Sequence, residues 1–206
     1  LVSAWAQNPT EVIVVDNGST DGTCSIIEEK FPKTKVIRFG SNQGFAKGCN
    51  TGIEASSADY VLFLNGDATL EANYLSRLLP SFQKHSQLAS VTGKLVYEEN
   101  GKRYIDSAGI EPRLYALSPL DRGYTEEDIG QYDTPKMIFG PSAAAALYAR
   151  EALVAAGDEC FDEDLFAYYE DVDLAWRLRN LGWQHYYDPA AMGFHCRRGP
   201  DNKPPE

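Results

Sequence analysis

Basic residues are scarce in this chain: 19 lysines and arginines stand against 30 aspartates and glutamates, a formal net charge of −11. A surface of that sign repels polyanions unless basic groups gather locally, which argues against broad electrostatic binding to nucleic acid or anionic lipid. No nucleic-acid partner is expected. Cysteine is sparse too. Cys24, Cys49, Cys160 and Cys196 are scattered without a C-x-x-C pair, which fits reduced buried thiols better than a disulfide frame or a zinc site. No apolar stretch approaches the roughly 18 to 20 residues of a membrane helix. The N-terminus also lacks the basic-then-apolar order of a secretion signal, so a cytoplasmic location is expected. With 43% hydrophobic and 24% charged residues the composition is that of a globular protein, neither disordered nor fibrous. The 206 residues suffice for one well-buried core and would cramp two, so one domain is read over 1–198, with a disordered Pro- and charge-rich tail at 199–206.

What the chain does have is a regular alternation of apolar runs and turns. Leu1–Gln7 reads as the end of a helix whose beginning is not in this chain, stopped by Asn8-Pro9. Glu11–Val15 is a β-branched run of the kind buried on both faces of a parallel sheet. A helix follows, with Ser19 or Thr20 as cap, then a strand over Lys35–Phe39, a helix over Phe45–Ser56 and a strand over Tyr60–Leu64. This β-α-β-α-β spacing demands right-handed crossovers and predicts an α/β fold, a doubly wound and mainly parallel sheet with helices on both faces. A helix over Leu70–Lys84 and a strand over Leu88–Tyr97 extend it.

From Glu98 to Asp133 the periodicity stops, and a span this long predicts a substrate-facing excursion. Ser142–Arg150 scores as helix on its alanines but is bounded by Gly140-Pro141, so propensity leaves it undecided. Asp171–Leu181 is an amphipathic helix closed by Gly182, and Trp183–Tyr187 a final strand.

Three acidic clusters sit at the ends of these elements: Asp16-Asn17-Gly18-Ser19, Asn65-Gly66-Asp67, and Glu170-Asp171-Val172-Asp173. Acids placed directly against apolar runs must face a surface, a cleft or a cation, and strand ends are where α/β proteins do chemistry, so a metal-assisted site leads. Each cluster also has a plainer reading. Asp16 can accept a hydrogen bond from a pyrimidine N–H or cap a helix. Asn42, Gly44, Lys47 and Asn50 surround a glycine turn that opens a helix and can cradle an anion, or form a loop capped by Asn42. Asn-Gly-Asp is a common turn, although one aspartate with substrate phosphates suffices for a weak Mg2+ or Mn2+ site. Acids in the first turn of a helix suit its dipole, which favours the ionised carboxylate. Asp173 is spaced to pair with Arg177.

Taken together, Val14-Val15-Asp16-Asn17-Gly18-Ser19-Thr20-Asp21-Gly22, Asn42-Gln43-Gly44-Phe45-Ala46-Lys47-Gly48-Cys49-Asn50-Thr51-Gly52, Leu64-Asn65-Gly66-Asp67 and Tyr169-Glu170-Asp171-Val172-Asp173-Leu174 resemble family 2 glycosyltransferases, in order and in spacing, over about residues 1–198. The likeness is to the bacterial rhamnosyltransferase-like branch. It implies the GT-A nucleotide-diphospho-sugar transferase fold, a nucleotide-diphosphate sugar donor, Mg2+ or Mn2+, inversion at the anomeric carbon, and a strand rather than a helix at Ala143–Tyr148. It also implies that a first strand of the fold is missing before Leu1.

On the same ground Asp171 is the catalytic base, with Glu170 orienting the acceptor, and Asp67, Asn65 and His195 are metal ligands. Asp16, Asn42, Gly44, Lys47, Asn50, Asn65 and Arg197 belong to the donor site, where Arg197 and Arg198 neutralise the departing diphosphate. The acceptor is a glycan or lipid-linked hydroxyl, which brings the protein peripherally to the inner face of the membrane. The alternatives are a catalytically silent nucleotide-sugar-binding subunit or fragment and a metal-dependent nucleotidyltransferase.

Overall fold

The computed structural model describes residues 1–112 and 120–195. The tail expected at 199–206 and Cys196 lie outside them. A short helix, α1 (Val2–Trp5), is followed by the β-branched run, which forms β1 (Ile13–Asp16). Then come α2 (Thr23–Lys30), β2 (Lys35–Arg38), α3 (Phe45–Glu54) and β3 (Tyr60–Leu64), the alternation that the spacing predicts. α2 starts later than its candidate caps Ser19 and Thr20. Gly22, at φ +81°, is its N-cap residue, and Asp21 instead accepts hydrogen bonds from the Thr23 N–H and hydroxyl. β1 and β2 pair in parallel and form a two-stranded sheet of their own.

The next segment departs from the single helix expected over Leu70–Lys84. It holds β4 (Ala68–Leu70), α4 (Tyr74–Leu78) and α5 (Pro80–Lys84), because Pro80 lacks the N–H that would carry α4 onward and starts a new helix instead. β5 (Leu88–Glu99) and β6 (Lys102–Ser107) form a hairpin, followed by β7 (Ile110–Glu111), β8 (Leu120–Asp121) and β9 (Lys136–Ile138). The span 98–133 therefore carries strands of its own, and buried Lys94 on β5 binds it down through Asp128 at 3.0 Å and through Asp133. Only part of it is free to face a substrate. The four-alanine segment is a strand, β10 (Ala145–Ala149), succeeded by α6 (Arg150–Ala155). A 3-10 turn at Glu163–Leu165, α7 (Glu170–Asn180) and β11 (Gln184–His195) complete the order.

The larger sheet has seven strands in the order β3-β10-β5-β11-β4, with β6 also on β5 and β9 also on β11. It is mixed: β5 and β11 are parallel, and β10 runs antiparallel between β3 and β5. Alternation along β10 sends Ala146 and Tyr148 to one face, where α3, α6 and α7 supply Ile53, Leu153, Leu174 and Leu178. It sends Ala145 and Leu147 to the other, against Tyr74 and Leu78 of α4. Helices thus cover both faces and give the expected α/β class. Burying each such leucine stabilises by roughly 1.5–3 kcal/mol.

On one edge β5 exchanges β10 for β6 near Gly93, and the fully buried Tyr74 hydroxyl bridges the gap. It accepts from the Gly93 N–H at 3.0 Å and donates to the Ala145 carbonyl at 2.8 Å. A Cβ on Gly93 would lie 2.3 Å from the Ala191 carbonyl oxygen, so glycine is required where these strands converge. Gly48 and Gly52, by contrast, would meet Val15 only at ordinary contact distances, so close packing does not explain them.

Candidate active site

The Asn65-Gly66-Asp67 turn joins β3 to β4, and its shape comes from the backbone. The Asn65 N–H donates to the Ala144 carbonyl at 2.9 Å, and the Asn65 carbonyl accepts from the Ala68 N–H at 3.1 Å. β4 then pairs with β11 so that Ala68 lies opposite His195. That register brings His195 Nε2 to 3.2 Å from Asp67 Oδ1 and 3.3 Å from Asn65 Nδ2. His195 is almost fully buried, whereas the Asp67 side chain is half exposed.

Among the described residues no three or more His, Cys, Asp or Glu side chains are arranged to hold a metal ion unaided. The donor set nevertheless fits a hard divalent cation that completes its shell with substrate phosphates and water. Two neighbouring ligands of an octahedral ion bound at about 2.1 Å stand about 3 Å apart, close to the separation of Asp67 Oδ1 and His195 Nε2. The buried Asn65 Oδ1 has no hydrogen-bond partner among the described residues, which adds an uncommitted oxygen to the same turn.

The second acidic group opens α7. Asp171 Oδ2 accepts from the Ala143 N–H at 3.1 Å and Oδ1 from the Val172 N–H at 2.8 Å. Adjacent residues of one backbone segment, Ala143 and Ala144, thus hold Asp171 on one side and the Asn65 turn on the other. Asp173, as its spacing predicts, pairs with Arg177 at 2.7 Å. The helix dipole does not win the contest over protonation. Burial pushes Asp171 up to about 6, against the Ala143 N–H, which favours the carboxylate. Burial and then the Asp171 charge push Glu170 up to about 7. The loss of water outweighs the half-charge of the helix end. Neutral pH then lies near the protonation midpoint of both acids, as a proton acceptor requires.

Asp16 is buried at the end of β1, where its Oδ2 accepts from the Ser19 N–H at 3.2 Å. The Ser19 hydroxyl, foremost among its hydrogen bonds, holds the carboxyl below its ordinary value. Ser19 therefore serves Asp16 and not the helix. The anion cradle expected at α3 is occupied by the chain itself. The N–H groups of Phe45 and Ala46 both donate to the Phe166 carbonyl, at 2.7 and 3.3 Å. Asn42 accepts from the Gly44 N–H at 2.9 Å, Lys47 pairs with Glu163 at 3.0 Å, and buried Asn50 holds both the N–H and the carbonyl of Phe161. Gly44, at φ +90°, is needed because a Cβ there would stand 2.6 Å from the Phe166 carbonyl oxygen. Phe45, Ala46, Lys47 and Asn50 anchor the segment 161–166 that leads into Glu170 and Asp171, and Asn42 shapes the turn before them. Arg197 and Arg198 lie outside the described residues.

Two features are scarcely marked in the sequence. Phe166, Tyr168 and Tyr169 all have positive φ, at 57°, 72° and 69°, and all three side chains are exposed. Such angles are costly for bulky residues and cluster at binding and catalytic sites. Asp106, which lay inside the unpatterned span, is 2.8 Å from His195 Nδ1. The only hint was an acid directly after the apolar pair Tyr104-Ile105. Cavities of about 300 Å³, beside Met137 and Arg179, and about 410 Å³, beside Lys94 and Met192, include none of these acids.

Residues 1–154 match the family described as Glycosyl transferase family 2. The N-acetylglucosaminyl-diphospho-decaprenol L-rhamnosyltransferase of Mycobacterium tuberculosis is 28% identical to this chain, over 94% of the chain and 69% of that protein. The pre-mycofactocin glycosyltransferase of the same species is 32% identical over 91% of the chain, which spans only 37% of it. A similar structure is GalNAc-T7 with UDP, GalNAc and Mn2+, at a TM-score of 0.68 and 12% identity, covering 90% of this chain and 37% of that one. Another is the Pyrobaculum calidifontis mannosyltransferase PcManGT with GDP-Man and Mn2+, at 0.64 and 19%, covering 96% and 52%. These neighbours show the GT-A fold, and with the match over three-quarters of its length the chain belongs to the family 2 glycosyltransferases.

Proposed function

We propose that this glycosyltransferase moves a sugar from a nucleoside-diphosphate donor to a hydroxyl of a glycan or lipid-linked acceptor by one inverting displacement. The observation that carries this reading is the Ala143–Ala144 segment, whose two adjacent residues hold Asp171 and the Asn65 turn, the turn that brings Asp67 to His195. Asp171, half-buried and poised near pH 6, accepts the proton of the attacking hydroxyl. Glu170, beside it, orients the acceptor. Asp67 and His195, with Asn65, hold Mg2+ or Mn2+, which when bound supplies positive charge to the leaving diphosphate. Asp16, whose carboxylate is oriented by Ser19 and Cys24, meets the nucleotide base. The exposed aromatics Tyr168 and Tyr169 directly precede Glu170 in the chain and offer the acceptor a surface there.

The relative named for rhamnosyl transfer to a diphospho-decaprenol acceptor supports rhamnose as donor sugar and a lipid-linked acceptor. We place the protein on the cytoplasmic side, at the membrane's inner face, where such an acceptor would be met. The test is a thermal-shift screen of nucleotide sugars with and without Mn2+, followed by product analysis with the stabilising donor. Release of nucleoside diphosphate with glycosylated acceptor is the expected outcome. Pyrophosphate release would reassign the chain to nucleotidyl transfer, and stabilisation without turnover would make it a binding subunit.

A further inference from the structure

The buried contact between Asp106 and His195 has no part in the displacement itself, yet it is built into the sheet. β5 separates the two residues: β6, which carries Asp106, lies on one edge of β5, and β11, which ends in His195, lies on the other. The β5–β6 ladder pairs Leu95 with Ser107 and then Val96 with Ile105, so Asp106 is the extra residue of a bulge. Phe194 stands opposite that same Val96 on the far edge. A bulge re-aims the side chain of the residue it inserts. Here it sends a carboxylate across the strand to the imidazole, with Asp106 1% and His195 5% exposed.

We propose that Asp106 is a positioning residue that holds His195 in the tautomer bearing its proton on Nδ1, so that the Nε2 lone pair faces Asp67 and Asn65 as a donor to a divalent cation. The inference rests on the metal-assisted reading given above. Asp106 Oδ2, 2.8 Å from Nδ1, is a carboxylate oxygen and accepts a hydrogen bond from the ring N–H there. Nε2 is then left without a proton, 3.2 Å from Asp67 Oδ1 and within reach of the Asn65 amide N–H at 3.3 Å. Two electron-pair donors brought this close repel each other unless a cation lies between them, either a metal ion that both ligate or a proton on Nε2, and the tautomer separates the two. Carboxylate partners of this kind fix the orientation of metal-binding histidines and raise their basicity.

The tautomer can be read directly, because the chain has three histidines and long-range 1H–15N correlation spectra distinguish the protonated ring nitrogen of each. The 15N-labelled 206-residue chain is expected to show His195 protonated on Nδ1. In Asp106→Asn the Nε2-protonated form of His195 should appear while the His85 and His185 signals stay in place. Mn2+ affinity in the presence of UDP or dTDP, followed by the paramagnetic resonance of free Mn2+, should fall on the order of 10–100-fold. Asp106→Glu, which keeps the charge, should restore the wild-type tautomer. A wild-type His195 protonated on Nε2 overturns the inference before any variant is made. So does an Asp106→Asn variant that keeps both the Nδ1 proton and its Mn2+ affinity. Absence of Mn2+ binding by the wild-type chain, with the tautomer as expected, instead strikes the metal-assisted reading and the donor role with it, leaving only the orientation by Asp106.

Discussion

Replacing Glu170 by glutamine probes the acid pair independently of turnover. Glu170 is buried, its Oε2 has no hydrogen-bond partner among the described residues, and burial together with the Asp171 charge lifts its carboxyl from 4.5 to about 7. A carboxyl raised in this way supports the folded state fully while protonated, below about pH 4.5. That support is lost as pH climbs through about 7. At about 1.4 kcal/mol per pH unit, the ionised side chain destabilises the wild type by about 3 kcal/mol at pH 8. Glutamine is neutral throughout and nearly isosteric. Glu170→Gln is therefore expected to exceed the wild type by about 3 kcal/mol at pH 8, with the difference vanishing near pH 4.5.

Urea unfolding at several pH values, with EDTA present to remove cations, measures this. Buried His185, pushed down to about 4 by its burial, has the opposite slope: it loses stability as pH falls from about 6.5 to about 4. Both chains carry it, so it drops out of the difference. A difference that stays constant with pH, or a wild type that gains on the variant between pH 4.5 and 8, would refute the placement of Glu170 in a desolvated site.

Asp171→Asn should lower transfer by at least about 100-fold while donor affinity by calorimetry stays within about threefold. In the wild-type chain transfer should rise with pH through about 6 and level above it, a limb the acid pair shares. Asp67→Ala should weaken donor binding in the presence of Mn2+ and leave metal-free binding unchanged, again by calorimetry. Gly44→Ala places a Cβ 2.6 Å from the Phe166 carbonyl oxygen at φ +90°. It should cost about 1–3 kcal/mol in thermal unfolding and reduce transfer by displacing the segment that leads to Glu170.

Much of the fold could be read from local pattern. Tyr60–Leu64 matches its predicted bounds, and β1, β2, α3 and α7 come within a residue or two, because short apolar runs and amphipathic helices announce themselves over a few positions. The alanine-rich β10 did not. Its helix propensity is overridden by pairing with β3 and β5 on both sides, a context that local pattern does not carry. Pro80 is visible in the sequence, yet the break it imposes falls inside the single helix that the apolar spacing of Leu70–Lys84 predicts. The apparently patternless span after Glu98 conceals strands too short for a period to register, among them the bulge at Asp106.

By itself the sequence determined which acids follow which apolar runs, and therefore the α/β class and the residue types available for chemistry. Only the tertiary structure decided how those groups are used. Lys47 and Asn50 fasten a loop instead of awaiting an anion, Glu170 and Asp171 hold protons more tightly than a helix start would suggest, and Asp106 reaches His195 across an intervening strand. Protonation and hydrogen-bond commitment depend on distance and on loss of water between residues far apart in the chain, and neither quantity exists until the sheet has formed.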